Sequence, residues 1–322
     1  MTYNAGLSRK GPGLLVRDLD RFEVPALRET VGTIARIKPD VLALQSIDYD
    51  HQLIALSLLQ ARLKEAGHEM RYAFARPPNS GVSTGLDIDR DGRLDTARDR
   101  QGYGLFSGQG GMAILSRYPI DQKGAKDLSG MLWRDLPNAE LPVGYFTEDE
   151  LSVLRLHSVA AWDVPIRTPG GTVRIFATQT SPPVFDGPED RNGLRNADQL
   201  RFWRRYILSA DKGAFVLLGG LNNDPYDGDG LKPELLKLLS LDAVQDVTPE
   251  AHHGFVENPH HQGPPEQDTV DWGRDIGSLR VDYVLPSAGL GVAAAAVERD
   301  QTPGEGADGT AHKPVWIDIR WK

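Results

Sequence analysis

Two sets of residues in this sequence have types and spacings that could do chemistry. The first is the run Asp87-Ile88-Asp89-Arg90-Asp91-Gly92-Arg93-Leu94-Asp95, with aspartate at loop positions 1, 3, 5 and 9 and glycine at 6. Carboxylates so spaced aim their oxygens at one point while the glycine makes the sharp turn, as in a calcium loop. Position 12 carries Arg98, with Asp99 one residue later. The expected Ca²⁺ ligands are the side chains of Asp87, Asp89, Asp91 and Asp95, the carbonyl of Arg93, and Asp99. A solvated acidic turn is the alternative. The second set consists of polar residues that end apolar runs: Asn4, Gln45-Ser46 and Gly219-Gly220-Leu221-Asn222-Asn223-Asp224-Pro225. Strand ends that deliver polar groups into a crevice are a common way to present a site.

Three weaker signals accompany these. Asp224 to Gly230 is another acidic turn, more loosely spaced. His252, His253, His260 and His261 are either a transition-metal cluster or a solvated loop. Arg191, at the end of the polar run Phe185 to Gly193, either reaches an anion or makes a structural ion pair.

The elements that position these residues follow from periodicity. Thr2 to Asn4 reads as the end of a first strand. Leu27, Val31, Ile34 and Ile37 mark a helix ended by Pro39, and Leu53, Leu56, Leu59 and Leu63 mark another. Between them Asp40 to Gln45 is a near-continuous apolar strand. Residues 76 to 111 read as a long loop, followed by strand character at Met112 to Leu115. Val153 to Val159 and Val173 to Thr178 read as paired strands around the turn Pro169-Gly170-Gly171. Leu194, Ala197, Leu200, Trp203 and Ile207 share a helix face, Phe215 to Leu218 is a buried strand, and a short helix covers Leu235 to Leu239. Residues 249 to 277 form a His-, Pro- and Gly-rich loop. Val281-Tyr283-Leu285 and Val315-Ile317-Ile319 alternate as half-buried strands do. No linker or repeat interrupts the chain, so residues 1 to 322 are expected to form a single domain.

Composition narrows the functional classes. The net charge of −9 gives no general attraction for nucleic acid or an anionic membrane. A small phosphorylated molecule or inorganic anion is therefore favoured as partner over nucleic acid. With 40% hydrophobic and 25% charged residues among 322, the chain can bury a core. The absence of cysteine excludes disulfides and thiolate metal sites, and no apolar run approaches the roughly 18 residues of a membrane span. The opening Met-Thr-Tyr-Asn carries no secretory segment yet reads as the tail of a strand. This suggests either a removed leader, which would imply a secreted or periplasmic protein, or a chain trimmed at its start.

Taken in order, Thr2-Tyr3-Asn4, Pro39-Asp40-Val41-Leu42-Ala43-Leu44-Gln45-Ser46, Gly219 to Pro225, Arg280-Val281-Asp282-Tyr283-Val284 and Ala311-His312-Lys313-Pro314-Val315-Trp316 resemble the endonuclease/exonuclease/phosphatase superfamily. That superfamily includes pancreatic deoxyribonuclease, apurinic endonucleases, sphingomyelinases and inositol phosphatases. Gly111 to Pro119 is similar to its central strand and turn, so the resemblance spans essentially the whole chain. It implies an α+β fold, a four-layer α/β/β/α sandwich of two packed mixed sheets flanked by helices. It also implies metal-assisted phosphoester hydrolysis: a Glu holding Mg²⁺ or Mn²⁺, an Asp in G-D-x-N orienting water, and His or Tyr with a closing S-D-H managing protons and the oxyanion.

At the ionisable positions the sequence departs from that pattern. Ser46 stands for the metal-binding Glu, Gly220 for the Asp of G-D-x-N, Ala311 for the Asp of S-D-H, and Gln179 where His is usual. Asn4, Asn222, Asp282 and His312 are retained, and the resemblance places Asp282 to hydrogen-bond His312 and fix its tautomer. Two functions follow. In the first, the chain is a catalytically depleted pseudoenzyme that binds a phosphate-type anion without metal, since the lost carboxylates no longer repel one. In the other, it is an active Mg²⁺- or Mn²⁺-dependent hydrolase whose site is rearranged around Asp48, Asp224 or Asp282. Asp48 lies two residues beyond Ser46, on the same side if the strand continues.

Overall fold

The computed structural model describes residues 1–209, 213–252, 260–273, 276–299 and 310–321. The chain forms two mixed sheets packed face to face, with helices on both outer faces. Edge to edge, the first sheet is Leu290–Val297 (β12), Val315–Trp321 (β13), Thr2–Leu7 (β1), Val41–Ile47 (β2), Gly111–Ser116 (β4) and Tyr72–Phe74 (β3). The second is Asp282–Pro286 (β11), Phe215–Gly220 (β8), Gly171–Gln179 (β7), Ala160–Thr168 (β6) and Lys126–Asp127 (β5). The pairs β1·β2 and β7·β8 are parallel; the other ladders are antiparallel. A two-stranded ribbon, Val270–Asp271 (β9) with Ser278–Leu279 (β10), lies outside both sheets.

Strand period explains why the central strands are apolar throughout. In β2, Leu42 and Leu44 face the helices Leu14–Arg21 (α1), Pro25–Ile37 (α2) and Ile54–Glu65 (α3), while Ala43 faces the other sheet. In β8, Val216 and Leu218 point between the sheets, while Phe215 and Leu217 meet Arg191–Leu208 (α5) and Lys232–Leu239 (α6). Both faces of each strand are buried, so alternation disappears and a run of branched and aromatic residues remains. Each fully buried Leu or Phe contributes about 1.5–3 kcal/mol of transfer free energy.

The observed elements correct the sequence reading in four places. The strand paired across the Pro169 turn is 160–168, not Val153 to Val159; Val153 ends a short helix, Glu148–Val153 (α4). Pro165 obscured this strand. Its carbonyl accepts Asp121 N–H at 2.9 Å, so the missing donor points away from the β7 ladder. β11 is buried along its whole length rather than on one face. α1 and β12 were not anticipated; the run Leu-Gly-Val-Ala-Ala-Ala-Ala-Val of β12 has the composition of a helix and is a strand by pairing with β13.

Candidate functional site

The site sits where β1 and β2 of one sheet and β7, β8 and β11 of the other end. Asn4 of β1 lies opposite Gln45 of β2. The next residue, Ser46, has φ 54° and sits at a register shift in the β2·β4 ladder, a bulge that re-aims its side chain. Alternation therefore breaks there, and Asp48 does not follow Ser46 onto one side. Its carboxylate is buried and accepts the backbone N–H groups of Arg9 at 2.8 Å and Gly110 at 3.0 Å. Burial raises its pKa, and these donors partly offset the rise.

Gln179, Gly220 and Asp282 form a row across the second sheet, with Gly220 directly between the other two. A Cβ on Gly220 would fall closer to Gln179 Oε1 than real contacts allow, so the amide fills the space that a side chain there would need. Gly219 beside it has φ 138°, and a Cβ would strike the Thr178 carbonyl, so glycine is required. Asp282 Oδ2 meets His312 Nδ1 at 2.7 Å and accepts the Thr269 hydroxyl at 2.9 Å. Thr269 Oγ1 in turn accepts Val281 and Asp282 N–H at 3.1 and 3.0 Å. An ionised Asp282 places the proton on Nδ1, leaving Nε2 as the other reactive nitrogen. The Trp272 ring stands edge-on to the imidazole at 5.2 Å. Ala311, next in chain, adds no polar group.

Asn222, at φ 47°, donates its amide to the Thr180 carbonyl at 2.6 Å, tying the loop after β8 to the loop after β7. The same two loops are joined by Asn196 of α5. Its Nδ2 donates to Thr180 Oγ1, Ser181 O and Leu221 O at 3.1, 2.8 and 2.9 Å, and its Oδ1 accepts from Asn223 at 3.0 Å. The sequence reading missed Asn196. Its signal is a polar group, Asn196, Asp198 and Gln199, buried within an otherwise amphipathic helix. Among the described residues the Asn4 amide, the Ser46 hydroxyl and His312 Nε2 have no hydrogen-bond partner in the protein, and Gln179 Oε1 and Asp282 Oδ1 are buried without one.

This donor set does not fit Mg²⁺ or Mn²⁺, which are held through carboxylates that keep their remaining positions for water and substrate. Asp282 is the one carboxylate in the row, and one of its oxygens is committed to His312 and Thr269. Asp224 is not available either: Oδ1 accepts Tyr226 and Asp227 N–H at 2.7 and 2.8 Å, and Oδ2 accepts Arg280 N–H at 2.6 Å. These contacts make it the pin of a turn.

Away from the strand ends, the acidic loop brings together Asp87, Asp89 and Asp99, whose ligand oxygens lie within 4.8 Å of one another. Asp99 is buried. Burial pushes its pKa up, but Thr96 and Ile88 N–H outweigh this and hold it below the usual carboxylate range. Asp91 is exposed and accepts Arg93 N–H at 2.8 Å, and Asp95 pairs with Arg100 at 3.3 Å, so neither joins the three. Arg191 donates to Ile88 O at 3.1 Å and lies 3.7 Å from Glu189. Among the described residues the histidines form no metal-binding group. His252 and His260 are exposed, and His253 lies outside the described residues. His261 is enclosed between Asp227 and Asp268, 3.2 Å from each.

Comparison with solved structures finds the same fold at low identity. An endonuclease/exonuclease/phosphatase from Beutenbergia cavernae matches with TM-score 0.59 and 19% identity, over 99% of this chain and 70% of that one. A family protein from Leptotrichia buccalis matches with TM-score 0.56 and 16% identity, over 99% and 98%. A Staphylococcus aureus beta toxin mutant with bound magnesium ions matches with TM-score 0.50 and 15% identity, over 98% and 94%. No curated protein sequence matches the chain. The model of the Endonuclease/Exonuclease/phosphatase family matches residues 1–308, and this chain belongs to that family.

Proposed function

We propose that this is a catalytically depleted member of the family whose strand-end site holds a phosphate-type anion rather than hydrolysing a phosphoester. The observation that carries the reading is the row Gln179–Gly220–Asp282. Where the family pattern has a carboxylate there is no Cβ, and the Gln179 amide occupies the space. Ser46 and Ala311 remove the other two acids. The Asn4 amide, the Ser46 hydroxyl and His312 Nε2, without protein partners among the described residues, are groups that hydrogen-bond a phosphate oxygen without a metal. The magnesium of the beta toxin belongs to that protein. The alternative of an active hydrolase rearranged around Asp48 or Asp224 is disfavoured because neither belongs to a converged group of three or more ligating side chains among the described residues.

The test is a phosphodiesterase assay beside calorimetric titration of Mg²⁺, Mn²⁺ and inorganic phosphate. The expected result is phosphate binding, no metal-stimulated turnover, and gain of turnover in the quadruple variant Ser46→Glu, Gln179→His, Gly220→Asp, Ala311→Asp. Metal-stimulated turnover in the wild type that vanishes in Asp48→Asn would sink the proposal.

We further propose that the Asp87, Asp89 and Asp99 oxygens hold a structural Ca²⁺. Asp99 would take the role of the acid absent at position 12.

A further inference from the structure

A cavity of about 450 Å³ opens beside the first turn of α5, within the usual range for small-molecule sites. It adjoins the strand ends, since Ser181 lies two residues beyond Gln179. Yet none of Asn4, Ser46, Gly220, Asn222, Asp282 or His312 lines it. Its inner wall is apolar and aromatic, formed by Ile88, Trp133, Phe146 and Leu154, with Tyr103 and Phe185 exposed at the rim. Four arginines line it, Arg98, Arg100, Arg191 and Arg195, and no Asp or Glu does.

Arg195 is the informative member. It is only 9% exposed, and it donates through Nε to Leu156 O at 3.0 Å and through Nη2 to Gln101 O and Arg155 O at 2.6 Å each. No carboxylate pairs with it among the described residues, and its Nη1 has no protein partner there. Buried charges are ordinarily paired, and the other well-buried arginines of this chain obey the rule. Arg201 meets Asp198 and Glu234, and Arg280 meets Asp246. Burial and the neighbouring Arg191 pull the Arg195 pKa down to about 9, so it remains cationic at neutral pH. Arg98, exposed at the mouth, likewise has no carboxylate partner. Two further lining groups point the same way. The hydroxyls of Ser158 and Ser181, in residues 7% and 2% exposed, have no hydrogen-bond partner among the described residues. A guanidinium held on three backbone carbonyls and over the Trp133 ring at 5.9 Å but lacking a carboxylate partner among the described residues, together with unsatisfied hydroxyls and aromatic walls around one cavity, suits an anion carried on an apolar body.

We propose that this cavity binds a small aromatic anion, its phosphate or carboxylate group on Arg195 and the Ser158 and Ser181 hydroxyls, its ring against Trp133 and Phe146. This site is separate from the strand-end anion site, and the two stand or fall independently.

The test is isothermal titration of the full chain with phenyl phosphate, benzoate, inorganic phosphate and phenol; the first two arms decide between headgroups. Phenyl phosphate or benzoate should bind about tenfold or more tightly than inorganic phosphate or phenol, because only they satisfy both charge and wall. Ser181→Ala should weaken binding several-fold while leaving the unfolding midpoint unchanged or higher, since its hydroxyl has no partner to lose. Arg98→Gln, a surface change, should also weaken binding, and Arg195→Met should weaken it about tenfold or more; if Arg195→Met does not fold, the other two variants carry the test. His312→Ala should weaken inorganic phosphate binding at the strand ends while leaving benzoate binding at this cavity in place. Absence of binding by both aromatic anions at millimolar concentration overturns the proposal. So does affinity that is unchanged in both Ser181→Ala and Arg98→Gln, or binding lost only in His312→Ala, which would assign the anion to the strand ends.

Discussion

At the scale of single residues, the departures at 179 and 220 are coupled rather than independent. Gly220 is compatible with Gln179 because it has no Cβ, and an aspartate at 220 would need the amide moved. Substitutions that share one space do not add. Gly220→Ala alone should cost about 1–2 kcal/mol from overpacking, and Gln179→Ala combined with it should recover roughly 1 kcal/mol. Urea unfolding of the two single variants and the double variant measures the coupling, and strict additivity would show that the space is not shared. Gly219 supplies the contrast. Its φ of 138° and the rigid Thr178 carbonyl leave nothing to move, so Gly219→Ala should be worse than Gly220→Ala and not rescued by Gln179→Ala.

At the scale of elements, the segment 260–273 acts as a cover beside β11 and carries a buried proton. Asp268 has its pKa raised from 3.8 to about 7, first by burial and then by Asp224, with Arg299 opposing. The folded chain then holds a proton on Asp268 that the unfolded chain has lost, so stability from this group is full below about pH 4 and is lost as pH rises towards 7. Asp268→Asn, which keeps a neutral group beside His261, should flatten the pH dependence of the unfolding free energy across that window. A variant whose pH profile parallels the wild type would show that Asp268 is ionised there throughout. The sequence displayed the elements on either side of this segment but not its role. His261 read as one of four histidines, and nothing in the spacing marked the carboxylates that enclose it, because Asp227 and Asp268 are brought to it by tertiary packing. Asn4, Ser46 and Asn222 were legible because each follows an apolar run, whereas Asp282 and His312 stood out only by the family resemblance. Asn196 and Arg195 were not legible, because a polar residue on a helix shows no periodic signal until its neighbours are known to bury it.

At the scale of the whole molecule, the segment 76–111 joins what the two sheets would otherwise hold apart. Its ends belong to β3 and β4 of the first sheet. Its middle docks on the connection between β5 and β6 and on the start of α5: Asn79 donates to Ser129 O and His157 O at 2.8 and 2.6 Å, Arg90 pairs with Glu150 at 2.9 Å, and Ile88 O accepts from Tyr145 and Arg191. The apposed carboxylates Asp87, Asp89 and Asp99 lie in this bridge. Like charges that close repel, and a divalent cation would convert that repulsion into a clamp within the segment itself. A ligand present at about a hundred times its dissociation constant stabilises the folded state by roughly 2.7 kcal/mol. Millimolar Ca²⁺ should therefore raise the melting temperature by several degrees over an EGTA-treated sample. Asp89→Asn should abolish most of that response, whereas Asp91→Asn, outside the converged group, should change it little. A melting temperature indifferent to EGTA would return the loop to a solvated acidic turn, and the docking contacts alone would then have to hold the bridge.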